Sequence, residues 1–282
     1  MMAVLQNRLK DGLVIINMKG KLKYKMLSIN YTTECRKNPR CSFCYLKKQR
    51  VLDLLKSDNP IEKDWDQLLM TVNKLTPKVQ QFAIAYNGID LWRLIALVEM
   101  ISNRCVIEKR LAMINITTNP EFIDTHHIRY LNKISACNQL GMWSLSLDEE
   151  KCTINEWIKK AKIVKKCGKK VGANILMTDS MFRKIENVLK RIAPYADQIH
   201  LLRPKYIKVK IPARIRKPML FVLKSIYKNL YVDECFNWEL TGKPCSRGKD
   251  FVSVNPDGSI SKCSFDGNNI YSKGRLRKCP FI

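Results

Sequence analysis

Between residues 28 and 235 the chain alternates short apolar runs of strand length with longer segments whose apolar residues recur every three to four positions. This alternation confines the fold to the α/β class. Strands joined through helices lie parallel, and each helix must cover the sheet face that it crosses. The first run, around Ser28 to Asn30, leads into a loop that carries Cys35, Cys41 and Cys44. Asn59-Pro60 then opens a helix with Ile61, Trp65, Leu68, Leu69, Val72 and Leu75 at helical spacing. Phe82 to Ala85, Met113 to Ile116, Met142 to Leu147, Val171 to Met177 and Gln198 to Leu202 read as five further strands. Helices are expected over Leu91 to Ile101, His127 to Ile134, Phe182 to Ile192 and Pro218 to Tyr227.

The clearest helix starts after Thr153, where Thr-Ile-Asn-Glu156 fits a capping box. It ends at Gly168. Trp157, Ile158, Ala161, Val164 and Cys167 form its apolar stripe, and Lys159, Lys160, Lys162, Lys165 and Lys166 lie largely off it as a solvated face. Six strand-helix pairs make a partial (β/α)6 barrel of the TIM type, with its chemistry beyond the carboxyl ends of the strands. The cysteine loop leaves the first strand at that end.

From Cys235 onward, cysteine, glycine and turn residues replace long helices. Phe251 to Val254 and Ser259 to Lys262 flank Asn255-Pro-Asp-Gly258, a β-hairpin pattern. The expected organisation is therefore a lead-in over residues 1–24, the partial barrel over 25–234, and a small cysteine-rich hairpin extension over 235–282.

Composition narrows the chemistry. Eleven cysteines without a secretion-type N-terminus argue for a reducing, cytoplasmic setting in which thiols bind metals, because disulfides belong to oxidising compartments. No apolar run reaches the roughly 18 residues of a membrane span, so no membrane partner is expected. Cys105, Cys137, Cys152 and Cys167 are scattered among apolar residues and read as small core side chains. The formal charge of +26, from 51 basic against 25 acidic residues, attracts polyanions, although a solubility role gives the same number.

Three thiolates are one too few to saturate a four-iron cluster, so Cys35, Cys41 and Cys44 would leave one iron open to a small molecule. Cys235, Cys245, Cys263 and Cys279 could instead close a site completely. Four-cysteine zinc is the competing reading for this second group.

The first group, Cys-x5-Cys-x2-Cys with Phe43 before the last cysteine, resembles the radical SAM superfamily. That family places Cys-x3-Cys-x2-Cys on the loop after the first barrel strand, so the first gap here is longer. The tail resembles the SPASM and twitch extensions that follow many such barrels. The resemblance implies a 4Fe-4S cluster on Cys35, Cys41 and Cys44, chelation of S-adenosylmethionine at the open iron, and reductive cleavage to a 5'-deoxyadenosyl radical. It also implies a second, auxiliary 4Fe-4S cluster on Cys235, Cys245, Cys263 and Cys279, and an external electron donor.

The resemblance further assigns cofactor contacts. Phe43 would seat the adenine through its backbone. Gly88 and Asp90, in Tyr86-Asn87-Gly88-Ile89-Asp90, stand where the family has Gly-Gly-Glu-Pro, and Asn119 follows strand three as in the family's Thr-Asn-Gly. Ser146, Asp148 and Asn174 end strand four or lie in strand five, where ribose contacts occur. Ordinary turn and strand-end polarity accounts for the same residues.

Arg203-Pro-Lys205, with Lys208, Lys210, Arg214, Arg216 and Lys217, begins at the end of strand six. A segment lining the barrel mouth there would favour a phosphate-bearing or acidic substrate. A solvated basic loop is the alternative. His126, His127 and His200 read as packing or surface residues rather than metal ligands.

The leading expectation is a radical SAM enzyme that modifies a larger, anionic substrate, nucleic acid or acidic peptide, by hydrogen abstraction. The alternatives are a peptide maturase of the same superfamily with a separate recognition partner, and a non-enzymatic zinc protein that binds nucleic acid.

Overall fold

The computed structural model describes residues 23–32, 35–36, 41, 61–134, 139–205, 209–243, 245, 249–264 and 266–270. Seven strand-helix units follow one another: β1 (Tyr24–Asn30), α1 (Ile61–Leu75), β2 (Val79–Tyr86), α2 (Leu91–Ile107), β3 (Met113–Thr118), α3 (Thr125–Ile134), β4 (Leu140–Leu147), α4 (Ile154–Lys166), β5 (Lys170–Leu176), α5 (Asp179–Ile192), β6 (Gln198–Leu202), α6 (Ala213–Ile226), β7 (Leu230–Val232) and α7 (Glu234–Thr241). The strands β8 (Phe251–Val254), β9 (Ile260–Cys263) and β10 (Asp266–Ile270) complete the described chain. One sheet holds all of them in the order β10-β9-β8-β1-β2-β3-β4-β5-β6-β7. Strands β1 to β7 are parallel to their neighbours, so the expected partial barrel is present, and β7 and β10 are not paired to each other.

The structure adds to the expected pattern. A seventh strand and helix follow the sixth pair. β7 is only three residues long, below the length at which a period can be read. Cys235 lies in the first turn of α7, in a tail whose composition suggests no helix. The sixth helix begins at Ala213, with Pro218 inside it and therefore without an N–H for the turn below. The hairpin joins the barrel sheet directly: β8 pairs with β1 in parallel, and β9 returns antiparallel to β8. Gly258, at φ 75°, closes the turn, and a Cβ there would lie 2.7 Å from the Gln67 backbone of α1.

Alternation along each strand builds two different faces. Leu27, Ile29, Phe82, Ile84, Ile114, Ile116, Trp143, Leu145, Val171, Ala173, Ile199 and Leu201 face the helix layer and are fully buried. Against them pack Leu68 and Val72 of α1, Leu94, Leu97 and Ile101 of α2, and Trp157, Ala161 and Val164 of α4. Trp157 also donates from Nε1 to the Leu145 carbonyl at 3.3 Å. Its helix carries the complete capping box, with Glu156 N–H donating to Thr153 Oγ1 at 3.2 Å and Thr153 N–H to Glu156 Oε2 at 2.8 Å. Such a cap contributes about 1 kcal/mol.

Candidate functional site at the carboxyl ends of the strands

The opposite strand face encloses a cavity of about 460 Å³. That volume suits a small-molecule site. Residues two apart on each strand supply its wall: Ser28 and Asn30 from β1, Ala83 and Ala85 from β2, Asn115 and Thr117 from β3, Ser144 and Ser146 from β4, Asn174 and Leu176 from β5, and Gln198 and His200 from β6. Small side chains hollow the interior, and their hydroxyl and amide groups make it polar. Asn115 Oδ1 is buried without a hydrogen-bond partner, an acceptor turned away from water. Such a group favours a ligand that brings a donor.

Cys35 and Cys41 both line this cavity just past the carboxyl end of β1, Cys41 buried and Cys35 half-buried. Their segment is tied to the β2–α2 turn, where Arg36 N–H donates to the Asn87 carbonyl at 3.0 Å. Tyr31 anchors the same turn through its hydroxyl, which donates to the Ile89 carbonyl at 3.1 Å. Cys44 and Phe43 lie outside the described residues.

Within that turn Gly88 adopts φ +78°, and a Cβ would sit 2.7 Å from the Phe122 ring. Asp90 also has a positive φ of 53°, caps α2 with its backbone, and places its carboxylate 3.8 Å from the Arg93 guanidinium. Asn87, rather than Gly88 or Asp90, is the residue of this turn in the cavity wall. Asn119 lines the cavity after β3, buried beside Thr118. Ser146 and Asp148 line it at the end of β4, and Asn174 lines it from β5. Asp148 is almost fully buried, pairs with Lys151 at 3.0 Å and accepts from Glu150 N–H at 3.1 Å.

The cations at the end of β6 reach the cavity but are already paired. Arg203 donates to Glu239 at 2.7 Å, and Lys205 lies 3.0 Å from Asp233. Arg216 is buried against the same Glu239. Burial works against the charge of Lys205, yet Asp233, together with Cys235, outweighs it and raises the lysine pKa. Burial likewise acts against Glu239, and its two arginine partners still hold it below the usual carboxylate range. Lys210, Arg214 and Lys217 are exposed, and Lys208 lies outside the described residues. The surplus positive charge around this segment is thus on the outside, and the wall itself is close to neutral.

Cys235, Cys245 and Cys263 are buried. Cys245 Sγ lies 3.0 Å from Glu234 Oε2. Ser264, next to Cys263, lines the cavity and accepts from Asn30 Nδ2 at 3.1 Å through its carbonyl. Among the described residues no three thiol, imidazole or carboxylate groups gather into a set that could hold a metal. Cys279, the fourth residue of that group, lies outside them.

His200, Asn30, Asn87, Asn115 and Lys151 also line the cavity, beyond the residues expected from the sequence. The signal was present for most of them: a polar residue at every second position of an otherwise buried apolar strand marks the face turned from the helices. His200 stacks on Tyr231 with ring centroids 5.2 Å apart and meets Gln198 Oε1 at 3.3 Å. Burial lowers its pKa, and Asp233 only partly opposes this. The native state therefore resists protonating a group that the unfolded chain protonates near pH 6.5. Stability contributed by neutral His200 is complete above about pH 6.5 and is lost as pH falls below it. Denaturant titrations at pH 7.5 and 5.5 should show this loss, and His200→Gln should reduce it.

No protein-family model and no curated protein matches the chain. Solved structures do match. One is anSMEcpe with bound AdoMet and a Kp18Cys peptide, at 17% identity and a TM-score of 0.58, covering 85% of this chain and 75% of that one. Another is anSMEcpe with bound AdoMet, at 15% identity and a TM-score of 0.58, covering 86% and 75%. Methylornithine synthase (PylB) aligns at 13% identity and a TM-score of 0.55, covering 89% and 78%. No helix among the described residues is long and apolar enough to cross a membrane. With its unclosed parallel sheet, and two cysteines at the mouth after β1, the chain has the partial-barrel fold of radical SAM enzymes.

Proposed function

We propose that the chain is a radical SAM enzyme that modifies an acidic peptide or protein segment in the β1–β6 cavity. The observation that carries this reading is the position of Cys35 and Cys41, which line one cavity with Asn119, Ser146, Asp148 and Asn174 at the carboxyl ends of the strands. The residues present fit the cofactor: two thiols stand at the mouth, small side chains leave room behind them, and Asn115 Oδ1 is an orphaned acceptor in the wall. Cys35, Cys41 and Cys44 would hold the 4Fe-4S cluster. When bound, the cluster and S-adenosylmethionine supply one-electron cleavage of the sulfonium to a 5'-deoxyadenosyl radical that abstracts a substrate hydrogen.

The chain's own residues orient and enclose. Asn87 and Asn119, after β2 and β3, offer amide groups to the methionine end of the cofactor. Ser146 and Asp148 can accept from ribose hydroxyls, with Lys151 3.0 Å from the buried Asp148 carboxylate and fixing its position. Asn174 adds an amide from β5. The helix layer and the β8–β9 hairpin keep water from the sides, which protects a reactive species.

Two observations favour the substrate class. Structures of this fold hold peptides together with AdoMet. The charge of +26 would draw an acidic segment to the surface, while the paired Arg203 and Lys205 keep the wall itself near neutral. Nucleic acid is the other anion that such a surface attracts. The reading includes an external electron donor and a reducing cytoplasmic setting; an auxiliary 4Fe-4S cluster on Cys235, Cys245, Cys263 and Cys279 would require the first three, which do not gather into a metal-holding set here, to draw together.

Metal analysis tests the assignment without requiring turnover. Anaerobically reconstituted protein should be brown and hold about four irons per cluster, hence about eight per chain with both groups filled. Colourless protein that retains zinc and takes up no iron would support the non-enzymatic zinc reading instead.

A further inference from the structure

The pairing of charges at the end of β6 does not come out even. Lys205 and Asp233 match one to one, 3.0 Å apart. Glu239 instead serves two arginines: its Oε2 accepts from Arg203 Nε at 2.7 Å, and its Oε1 accepts from Arg216 Nη2. Arginine stays protonated in proteins. With Glu239 ionised between them, the two guanidinium groups leave one positive charge unmatched. The side chains of Arg203, Arg216 and Glu239 are only 13%, 6% and 16% exposed, so water does little to disperse that charge. A shielded charge without a counter-charge is costly.

Unused donors show the same surplus. Arg216 Nε and Nη1 are buried without a hydrogen-bond partner among the described residues, and its guanidinium carbon lies 5.9 Å from the Phe236 ring centre. Arg203, unlike Arg216, lines the cavity. Its Nη1 makes only a long contact of 3.4 Å with the Pro204 carbonyl, and its Nη2 has no partner among the described residues. The nearby acids are committed elsewhere. Asp233 accepts from Lys205 and from the Arg203 and Phe236 amides, and Glu234 Oε2 lies 3.0 Å from Cys245 Sγ. Gln198, His200 and Leu202, the other cavity residues of β6, contribute no carboxylate.

We propose that the end of β6 is a carboxylate-binding subsite of the cavity, in which the Arg203 guanidinium takes the carboxylate and the uneven set of Arg203, Glu239 and Arg216 supplies the charge that balances it. A planar anion with two oxygens fits the edge of a guanidinium. One unmatched charge suits a monoanion better than a phosphate ester, which carries nearly two. The carboxylate is the side chain of an aspartate or glutamate, or the C-terminus of a chain. That it belongs to the substrate rests on the enzymatic reading, whereas the site itself does not. The residues assigned to the cofactor come from β1 to β5 and the loops after them, which leaves β6 for the substrate.

Thermal melts of the full chain at constant ionic strength test this with four probes: N-acetyl-Asp-amide, its neutral isostere N-acetyl-Asn-amide, N-acetylglycine for a C-terminal carboxylate, and inorganic phosphate. A carboxylate probe should raise the melting temperature, the larger rise naming the source, and the Asn-amide should not. Arg216→Met leaves Arg203 and Glu239 as a balanced pair. It should therefore remove the rise, although Arg216 is not a cavity residue. Arg203→Lys keeps the charge but loses the planar edge, so about tenfold more probe should be needed for the same rise. Should Arg216→Met not fold, Arg203→Lys decides alone. An equal response to the Asp and Asn amides would overturn the proposal, as would an undiminished response in the folded variants or a larger rise with phosphate than with either carboxylate. Failure of the enzymatic reading would show instead in iron content and deoxyadenosine yield, and would leave these melts unchanged.

Discussion

Replacing Cys35, Cys41 and Cys44 together by alanine is expected to remove the iron of the barrel site and to abolish 5'-deoxyadenosine formation from S-adenosylmethionine and dithionite. The physical reason is the small number of ligands. Three thiolates are the whole protein contribution to a site that must leave one metal position open, and neither Cys35 nor Cys41 has a neighbouring imidazole or carboxylate that completes a metal-holding set among the described residues. Iron content should fall by about four per chain, and the metal-free variant should lose stability only through the packing of buried Cys41 and half-buried Cys35. By contrast, alanine at Cys245 and Cys263 should remove buried side chains and reduce stability or turnover of substrate more than basal cofactor cleavage. Retention of full deoxyadenosine yield by the triple variant would contradict the assignment of the loop.

Gly88→Ala is expected to cost about 3 kcal/mol of folding stability from one added methyl group. A left-handed backbone penalises an L side chain by about 1–2 kcal/mol, and forcing an atom into a packed site adds about 1–3. Both terms act at Gly88, with φ +78° and a Cβ position 2.7 Å from the Phe122 ring. The ring has little room to yield: Phe122 is buried and meets Tyr86 edge-on at a centroid distance of 6.4 Å. Because Asn87 belongs to the same turn and receives the Arg36 amide, the shift should also weaken cofactor binding. Denaturant unfolding of the wild type, Gly88→Ala, Phe122→Ala and the double variant checks this. The two changes should be clearly less than additive, since the smaller side chain removes the clash. A Gly88→Ala protein within about 0.5 kcal/mol of wild type would show that the turn is not fixed in this way.

What the sequence made legible follows from what repeats. Strands and helices β1 to α6 are each long enough to display a period, and the capping box at Thr153 sets the start of α4 within one residue. β7, with three residues, and α7, with eight, are too short to display one, and cysteines and a nearby Gly mask them as loop. The cavity was half visible. Ser146, Asp148 and Asn119, at or after strand ends, and Asn174, within strand five, are expected cofactor contacts from the sequence and line it. Asp90 was singled out as an acid in the right turn, but its positive φ turns the carboxylate toward Arg93 and leaves Asn87 at the wall. A backbone twist of that kind leaves no trace in composition. The pairing of Arg203 and Lys205 with acids about thirty residues later, Asp233 and Glu239, was equally hidden, because it depends on β6 and β7 lying side by side. A run of cations therefore reads as an anion-binding mouth, whereas Arg203, Lys205 and Arg216 are paired with acids and Lys210, Arg214 and Lys217 are exposed.

The most direct measurement is the deoxyadenosine yield of anaerobically reconstituted full-length protein given S-adenosylmethionine and dithionite, quantified by mass spectrometry. If Cys35, Cys41 and Cys44 form the reactive site, 5'-deoxyadenosine should accumulate to at least one equivalent per chain, with iron bound and without added substrate. An iron-loaded protein that yields none under these conditions would contradict the central claim, however closely its barrel resembles those of the enzymes that share its fold.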